Sequence, residues 1–293
     1  MSQNSELIYW LALINDSGLK LSRVKPIIQR WCVVEKRPLA ELFDLSPLDW
    51  STTFGLSAPE ARQALLAGNK LDQQAALLKK WQAQGIQTLT RIDPRYPPRL
   101  AQALPPVQQP LLVWAQGALD LLPEPGVAML GSQAPDEAGA RFIDELTNAL
   151  VVEGIGLISG FGRGLDRATL EKMLTMPGGR AVVVLPMGLS AFAQTTSKLT
   201  PAVKSSQVAL VSPFAPETQY QDKLAEARNL LIDYLALALL IPHTDEAAQA
   251  RAVEALGRGL PVFVGLTDTA AHRTLIDQGA LLLTDAGEVV EMV

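Results

Sequence analysis

The chain is poor in the residue types that build disulfides, metal sites and catalytic centres. It has one cysteine and two histidines among 293 residues, which excludes an internal disulfide and disfavours a cysteine–histidine metal site. Cys32 follows Trp31 in an apolar helical pattern, which predicts buried packing. His243 and His272 lack metal-ligand spacing, and we find no nucleophile–base pair. We therefore expect no metal, no cofactor and no enzymatic activity.

Long hydrophobic runs are also missing. The apolar run over 234–242 is far shorter than the ~20 residues that a membrane-spanning helix needs. The acidic residue Glu6 stands where a secretory signal would be basic. Hydrophobic residues make up 48% of the chain and charged residues 19%, which is typical of a globular protein. We expect a cytoplasmic protein without a membrane partner.

Positive charge is scarce in the larger part of the chain. Residues 1–123 carry 13 Lys and Arg against 10 Asp and Glu, whereas residues 124–293 carry 12 against 20. Nucleic-acid binding usually needs a basic balance, because neutralising phosphates supplies much of the affinity. Phosphate contacts in the second part would have to come from a local cluster of cations.

The first 84 residues predict a small helical domain. Apolar residues recur at spacings of three and four through 7–14, 24–32, 38–54 and 57–84. Ser57-Ala58-Pro59-Glu60 is a helix start signal. We expect the tryptophans of this region to pack in its core; they are Trp10, Trp31, Trp50 and Trp81.

Residues 85–120 predict a connector with an edge strand. Six prolines lie between positions 91 and 117, and proline blocks helix by fixing φ. We therefore expect this segment to be extended and stiff. The apolar run over 111–114 predicts a short strand at the edge of the following sheet.

The remainder, 121–293, alternates between apolar runs and helical patterns. Strands are predicted over 127–130, 155–159, 181–185, 208–211, 235–241, 261–264 and 281–284. Helices are predicted over 136–153, 165–176, 190–204, 222–233 and 245–257. This order predicts an α/β fold, a Rossmann-like open, mostly parallel sheet with helices on both faces. Such sheets bind ligands beyond the carboxyl ends of their strands, where the strand order reverses.

Two of these apolar runs end in small residues. The first ends at Gly131-Ser132, and the second ends at Ser159-Gly160 and is followed by Gly164-Leu165-Asp166. A helix that starts there presents free backbone N–H groups and a partial positive charge, which suit a phosphate. The pattern predicts a ligand that contains phosphate, with a polynucleotide as the leading candidate.

Several motifs resemble the DNA-processing protein A family (DprA, also called Smf). Tyr96-Pro97-Pro98-Arg99-Leu100 resembles the lead-in of that family. Gly131-Ser132 matches its glycine-serine-arginine motif, with Gln133 in place of the arginine. The segment from Ser159 to Asp166 matches its serine-glycine and glycine-isoleucine-aspartate run, although Leu170 replaces a histidine.

The later motifs match in part. Leu185-Pro186-Met187-Gly188-Leu189 resembles a glycine-leucine turn of the family, and Arg228-Asn229 matches two members of its arginine-asparagine-arginine motif. Leu230 occupies the third place. The resemblance covers residues 92–284, and the helices before it fit the SAM-like domain of the family. We expect no C-terminal winged helix in this divergent member.

The resemblance implies single-stranded DNA binding and delivery of that DNA to the RecA recombinase, in natural transformation or recombination. It also implies a homodimer through the Rossmann-like domain. The expected ligand-binding residues lie at the strand ends; they are Gly131, Ser132, Gln133, Ser159, Gly160, Phe161, Arg163, Gly164, Asp166, Gly188, Arg228 and Asn229.

Several of these assignments have structural alternatives. Arg163 and Arg228 are the expected phosphate-binding cations, but each can also be a structural or solvated arginine. Phe161 either stacks on a base or folds back onto the core. Asp166 either contacts the ligand or stabilises its helix N-terminus, which we favour. Two other functions stay open: a sensor of a nucleotide or nucleotide-derived signal in the same crevice, and a scaffold that binds no ligand.

Overall fold

The computed structural model describes residues 3–106, 108–131, 136–242, 246–265 and 270–283, together with residues 287, 289 and 291. The chain divides into two compact units. Unit 1 comprises Met1–Tyr96 and Pro105–Val113, and unit 2 comprises Pro97–Leu104 and Trp114–Val293. The predicted boundaries at residues 84 and 120 stay a prediction.

Unit 1 is mainly helical. Its elements are α1 (Gln3–Asp16), α2 (Leu21–Ile28), α3 (Pro47–Phe54), α4 (Ala58–Leu66), α5 (Leu71–Ala83) and strand β1 (Gln87–Thr90). A π-helical turn covers Gln29–Val34, and 3₁₀ turns cover Leu39–Asp44 and Ala67–Lys70. The four tryptophans predicted in its core are buried.

Local sequence signals in unit 1 act as predicted. The Ser57 hydroxyl accepts from the Glu60 N–H, and the Glu60 carboxylate accepts from the Ser57 N–H, which closes a capping box at the start of α4. Cys32 is buried, and burial raises the pKa of its thiol to about 12. The prediction that Cys32 serves packing is therefore confirmed.

Unit 2 alternates strands with helices. It contains α6 (Pro98–Ala103), β3 (Gly126–Met129), α7 (Glu137–Val152), β4 (Gly156–Ser159), α8 (Leu165–Thr175), β5 (Ala181–Val184), α9 (Leu189–Thr195), α10 (Thr200–Lys204) and β6 (Val208–Ser212). Beyond these lie α11 (Asp222–Leu235), β7 (Leu239–Ile241), α12 (Glu246–Gly257), β8 (Val262–Gly265), α13 (Ala270–Asp277) and β9 (Leu281–Leu283). Strand β2 (Leu112–Gly117) begins in unit 1 and ends in unit 2.

The sheet of unit 2 is mixed and mostly parallel. Its described strands run in the order β2-β6-β5-β4-β3-β7-β8-β9. Only β2 is antiparallel to its neighbour in that order, and it pairs Trp114 with Ser212. Helices α8 and α11 each contact β3, β4 and β5, whose residues are all buried. The predicted Rossmann-like sheet, covered on both faces and preceded by a helical region, is confirmed.

Three predicted elements differ from the structure. The helix expected over 190–204 is broken, because the Thr196 hydroxyl accepts from the Lys198 N–H and competes with the helical backbone. The strand expected over 235–241 begins at Leu239, because helix α11 continues through Leu235. The proline-rich connector contains helix α6, since Pro98 occupies a first-turn position that proline tolerates.

Arg99 caps the C-terminal end of α11. Its Nη2 donates to the carbonyl of Ala236 at 2.9 Å, and its Nε donates to the carbonyl of Tyr234 at 3.3 Å. A cation at a helix C-terminus binds carbonyls that have no partner within the helix and complements the helix dipole. Arg99 of the Tyr-Pro-Pro-Arg-Leu motif is thus a structural residue of unit 2.

Helices in the described residues are short. The longest, α7, has 16 residues. Among the described residues, no helix combines the length and the apolar character required to cross a membrane.

Candidate functional site

A cavity lies where the strand order of unit 2 reverses. Strand β4 follows β3 on one side, and β7 pairs with β3 on the other side. The cavity has a volume of about 230 Å³. Its walls are the carboxyl end of β3, the loop after β4, the middle of α11 and the first half of α12. This is where a parallel sheet is expected to bind a ligand, and we call it the crevice.

Asp166 organises the loop after β4. Its Oδ1 accepts from the Ser159 hydroxyl at 2.6 Å. Its Oδ2 accepts from the N–H groups of Gly160 and Gly162 at 3.2 and 2.7 Å. The Ser159 oxygen in turn accepts from the Phe161 N–H at 3.0 Å. Asp166 therefore ties the loop to the first turn of α8.

These bonds change the expected role of the loop backbone. Ser159 and Gly160 were expected to offer donors to a phosphate, but both donate to Asp166. Burial raises the pKa of Asp166, while its hydrogen bonds and the nearby Arg228 oppose that shift. Among the described residues, no acceptor faces the N–H of Arg163 or Gly164. These two amides are the donors that the loop leaves for a ligand.

Arg228 joins the opposite wall to the same loop. From α11, its Nη1 donates to the carbonyl of Gly160. Its Nε is buried and has no hydrogen-bond partner among the described residues. Burial lowers the pKa of Arg228, the charge of Arg251 lowers it further, and Asp166 acts in the opposite direction. The guanidinium is thus held close to other charges, with one donor unused.

Gly160 is required by this arrangement. A Cβ at that position would lie 2.2 Å from Arg228 Nη1, 2.8 Å from Cζ and 3.0 Å from Ile232 Cδ1. Gly131 has a similar role at the end of β3, where a Cβ would lie 2.5 Å from Leu165 Cδ1. The Leu165 N–H donates to the Gly131 carbonyl at 3.0 Å. Both glycines allow close packing around the crevice.

Arg163 differs from Arg228 in its surroundings. It lines the crevice and is exposed. Among the described residues, Arg163 has no hydrogen-bond or ion-pair partner. The next residue, Gly164, has φ +80° and caps α8, a conformation that glycine adopts without a steric penalty. Arg163 is therefore an exposed cation that lines the crevice and has no partner among the described residues.

Phe161 has an aromatic neighbour and a cationic one. The Arg167 guanidinium lies 4.0 Å from the centre of its ring, and Arg167 Nη2 donates to the Phe161 carbonyl at 2.8 Å. The Phe192 ring meets the Phe161 ring edge to face at 5.8 Å. Phe161 is half-buried and is not among the crevice-lining residues. Its stacking role stays a prediction.

The other expected residues have separate positions. Asn229 lines the crevice, and its carbonyl accepts from Arg251 Nη2 at 3.4 Å. Gly188 caps α9, donates to the Thr218 carbonyl at 2.8 Å and is not among the crevice-lining residues. Ser132 and Gln133 lie outside the described residues, as does His243. The structure thus brings six expected residues together around the crevice: Gly131, Gly160, Arg163, Asp166, Arg228 and Asn229.

The sequence did not point to all of the crevice. Gly162, Ile232, Ala247, Ala248 and Arg251 also line it. The only sequence signal for the two alanines and Arg251 was their position on the helix that follows a strand of the sheet. Within the described residues, no group of three His, Cys, Asp or Glu side chains is placed to hold a metal ion.

Residues 87–293 match the model of a family described as DNA recombination-mediator protein A. DNA processing protein DprA of Streptococcus pneumoniae is 27% identical over 71% of this chain and 74% of its own length. Protein Smf of Synechocystis is 26% identical over 81% of this chain and 58% of its own. Protein Smf of Escherichia coli is 27% identical over 67% of this chain and 54% of its own length. The chain therefore spans little more than half of these two Smf proteins.

Solved structures share the fold. DNA processing protein A from Streptococcus pneumoniae superposes with a TM-score of 0.74 over 97% of both chains, at 22% identity. DNA processing protein A from Helicobacter pylori superposes with a TM-score of 0.58 over 70% of this chain and 94% of its own, at 20% identity. That structure concerns a single-stranded DNA binding mode. The family match covers most of the residues that form the sheet and the crevice. The chain belongs to the DNA recombination-mediator protein A family.

Proposed function

We propose that this chain binds single-stranded DNA in the crevice and delivers it to the RecA recombinase during DNA uptake or recombination. The observation that carries the proposal is the convergence of Arg163 and Arg228 on one cavity at the strand reversal. One guanidinium is exposed and without a partner among the described residues, and the other lines the crevice while its Nη1 donates to the Gly160 carbonyl. Both suit the phosphates of a polynucleotide.

The size of the crevice limits what enters it. About 230 Å³ lies below the ~300–1,000 Å³ of drug-sized pockets, so the crevice holds one phosphate or one nucleotide. A single strand can place a whole nucleotide, base included, in the crevice while its neighbours follow the surface, whereas a duplex must first unpair that base. Single-stranded DNA is therefore favoured over duplex DNA.

The relatives support the same ligand. The Helicobacter pylori protein, which has this fold, binds single-stranded DNA, and family membership makes the same ligand the first to test here. Delivery to RecA and a homodimer through the Rossmann-like domain complete the proposal on the basis of the family resemblance. The sequence composition adds a cytoplasmic location and a binding role without an enzymatic reaction to the proposal.

A second candidate is a sensor of a nucleotide or nucleotide-derived signal. The observation that favours it is charge, because residues 124–293 carry 12 Lys and Arg against 20 Asp and Glu. A long polynucleotide is repelled by such an acidic unit, whereas a small ligand with one or two phosphates needs only the local cations of the crevice.

A titration tests the first proposal. The fluorescence anisotropy of a labelled oligothymidylate is followed as protein is added, at two salt concentrations. We expect binding that weakens steeply as salt rises, because phosphate contacts release counterions. The absence of binding at low salt contradicts the proposal. A thermal-shift screen of nucleotides and dinucleotides tests the second candidate, and a flat response across the panel contradicts it.

The substitution Gln133→Arg separates the two candidates. It restores the arginine that the family motif carries at this position, and an added cation strengthens phosphate binding. A weakened DNA-binding protein should gain affinity for oligothymidylate. A small-nucleotide sensor should bind its ligand with unchanged or reduced affinity. The wild type and the Gln133→Arg variant are each titrated with oligothymidylate and with the nucleotide panel.

A further inference from the structure

Arg251 of helix α12 lines the crevice without having been singled out by any sequence motif. Its side chain is 13% exposed. Its Nε donates to Asp233 Oδ1 at 3.0 Å, and its Nη2 donates to the same oxygen and to the Asn229 carbonyl. Among the described residues, its Nη1 has no acceptor, and this nitrogen is not fully buried. One face of the guanidinium is therefore fixed, and one donor is left for a ligand.

Asp233 holds that guanidinium in place. Its side chain, on α11, is 3% exposed, and both carboxylate oxygens are used. Oδ1 accepts from Arg251, and Oδ2 accepts from Arg258, the residue that follows α12. A buried carboxylate between two arginines satisfies its own lone pairs and fixes the orientation of both side chains. It also fastens α12 to α11 beside the crevice.

The position of Arg251 is unfavourable without this support. Arg251 and Arg228 line the same cavity, and like charges at close range repel each other. The nearest carboxylate on the Arg228 side, Asp166, is occupied by the loop after β4. Asp233 therefore offsets the repulsion at Arg251, so that Arg228 and Arg251 both line a cavity that can receive a phosphate.

We propose that Arg251 is a phosphate-binding residue of the crevice and that Asp233 is its positioning residue. The inference rests on the proposed function, since it takes the ligand to be single-stranded DNA. It adds a cation that the arginine-asparagine-arginine motif does not contain, contributed by α12 and not by the loop or by α11.

The test compares oligothymidylate binding by the wild type, Arg251→Gln, Asp233→Asn and the double variant. Arg251→Gln should weaken binding about tenfold or more, as expected for one charge-assisted contact. Asp233→Asn should weaken it by about threefold or more through misplacement of Arg251. The double variant should bind no more weakly than Arg251→Gln. Arg141→Gln is the matched control and should bind like the wild type, because Arg141 is an exposed arginine of α7 whose only ion-pair partner among the described residues is Glu137.

Each outcome has a definite meaning. If the wild type itself fails to bind at low salt, the proposed function is wrong and this inference falls with it. If the wild type binds and Arg163→Ala weakens binding while Arg251→Gln does not, the proposed function stands and Arg251 is not a ligand contact. If Asp233→Asn weakens binding equally in the presence and absence of Arg251, Asp233 does not act through Arg251.

A second variant guards against misfolding. Asp233→Asn removes a buried charge from between two arginines, which can unfold the chain, and thermal melts reveal that result. Arg251→Lys keeps the charge but loses the planar fork that Asp233 orients. An affinity between those of the wild type and Arg251→Gln supports the positioning role. Full wild-type affinity of Arg251→Lys overturns it.

Discussion

The two sides of the crevice differ in which groups form their hydrogen bonds. On the β4–α8 side, the backbone N–H groups of the loop turn inward to Ser159 and Asp166. On the α11–α12 side, side chains reach toward the cavity, with Arg228 bonded to the Gly160 carbonyl and Arg251 to Asp233. The loop uses the N–H groups of Gly160, Phe161 and Gly162 internally and leaves those of Arg163 and Gly164 without an acceptor among the described residues, whereas the helical wall presents arginine side chains.

This difference bears on how the crevice would bind the proposed ligand. A loop rich in small residues suggests a backbone cradle for phosphate, but here Asp166 and Ser159 already accept from three of its backbone N–H groups. The attraction for an anion must then come mainly from arginine side chains. The glycines allow close packing, because a side chain at Gly160 would clash with Arg228 and one at Gly131 would clash with Leu165.

Gly160→Ala should have the largest effect, because it disturbs both sides together. Its Cβ takes the space of the Arg228 guanidinium, so Arg228 must leave the Gly160 carbonyl. We expect a loss of about 1–3 kcal/mol in the free energy of unfolding, as for other overpacked sites, and weaker oligothymidylate binding. Denaturant titration and anisotropy measure the two effects. Gly257→Ala is the control, because a Cβ there meets no atom of the described residues within 4 Å. Equal behaviour of the two variants would contradict the packing argument.

Arg228→Gln should affect stability and binding together. It removes the donor to the Gly160 carbonyl and the cation near Asp166. Leaving one buried acceptor unsatisfied costs about 1–3 kcal/mol, and binding should weaken because one phosphate contact is lost. Weaker binding with an unchanged melting temperature would show that Arg228 does not hold the loop.

Arg163→Ala should weaken ligand binding without changing the stability of the fold. Because Arg163 is exposed and has no partner among the described residues, the melting temperature should not change. Ligand binding should weaken by about 1–3 kcal/mol, the range for a charge-assisted hydrogen bond. Arg141→Ala on α7 is the control for loss of an exposed positive charge. If Arg141→Ala weakens binding as much as Arg163→Ala does, the loss of affinity comes from the lower net charge of the protein and not from a contact in the crevice.

The smallest expected effect is the pH-dependent part of the difference in stability between the wild type and Asp166→Asn. Burial raises the pKa of Asp166 above its ordinary value of 3.8, so the folded chain holds this proton to a higher pH than the unfolded chain does. The wild type should therefore lose stability relative to Asp166→Asn as pH rises from 3.8 through the raised pKa. Denaturant titrations across this range measure the difference. A difference that does not vary with pH contradicts the raised pKa.

The order of elements could be predicted because it depends on local pattern. Continuous apolar runs predicted the strands of unit 2, and Ser57 with Glu60 predicted the start of α4. Prediction was wrong where an apolar run suited two structures. The run from Leu235 to Ile241 ends a buried helix and then forms a strand, and periodicity cannot separate the two.

The crevice was predicted only in outline. Its glycines and arginines have sequence signals, so Gly131, Gly160, Arg163 and Arg228 could be named before the structure was known. Asp233 and Arg251 lie 18 positions apart, on two helices that only tertiary packing brings together. The inward direction of the Asp166 carboxylate likewise depends on how α8 meets the loop, which no spacing in the sequence specifies.

The most direct test of the central claim is the salt dependence of oligothymidylate binding. The slope of log Kd against log salt counts the phosphate contacts, at about 0.7 per contact for single strands. If arginine side chains hold the ligand in the crevice, the double variant Arg163→Ala/Arg228→Gln should show a slope smaller than that of the wild type by about 1.4. A variant that is folded, binds the oligonucleotide and keeps the wild-type slope would contradict the claim.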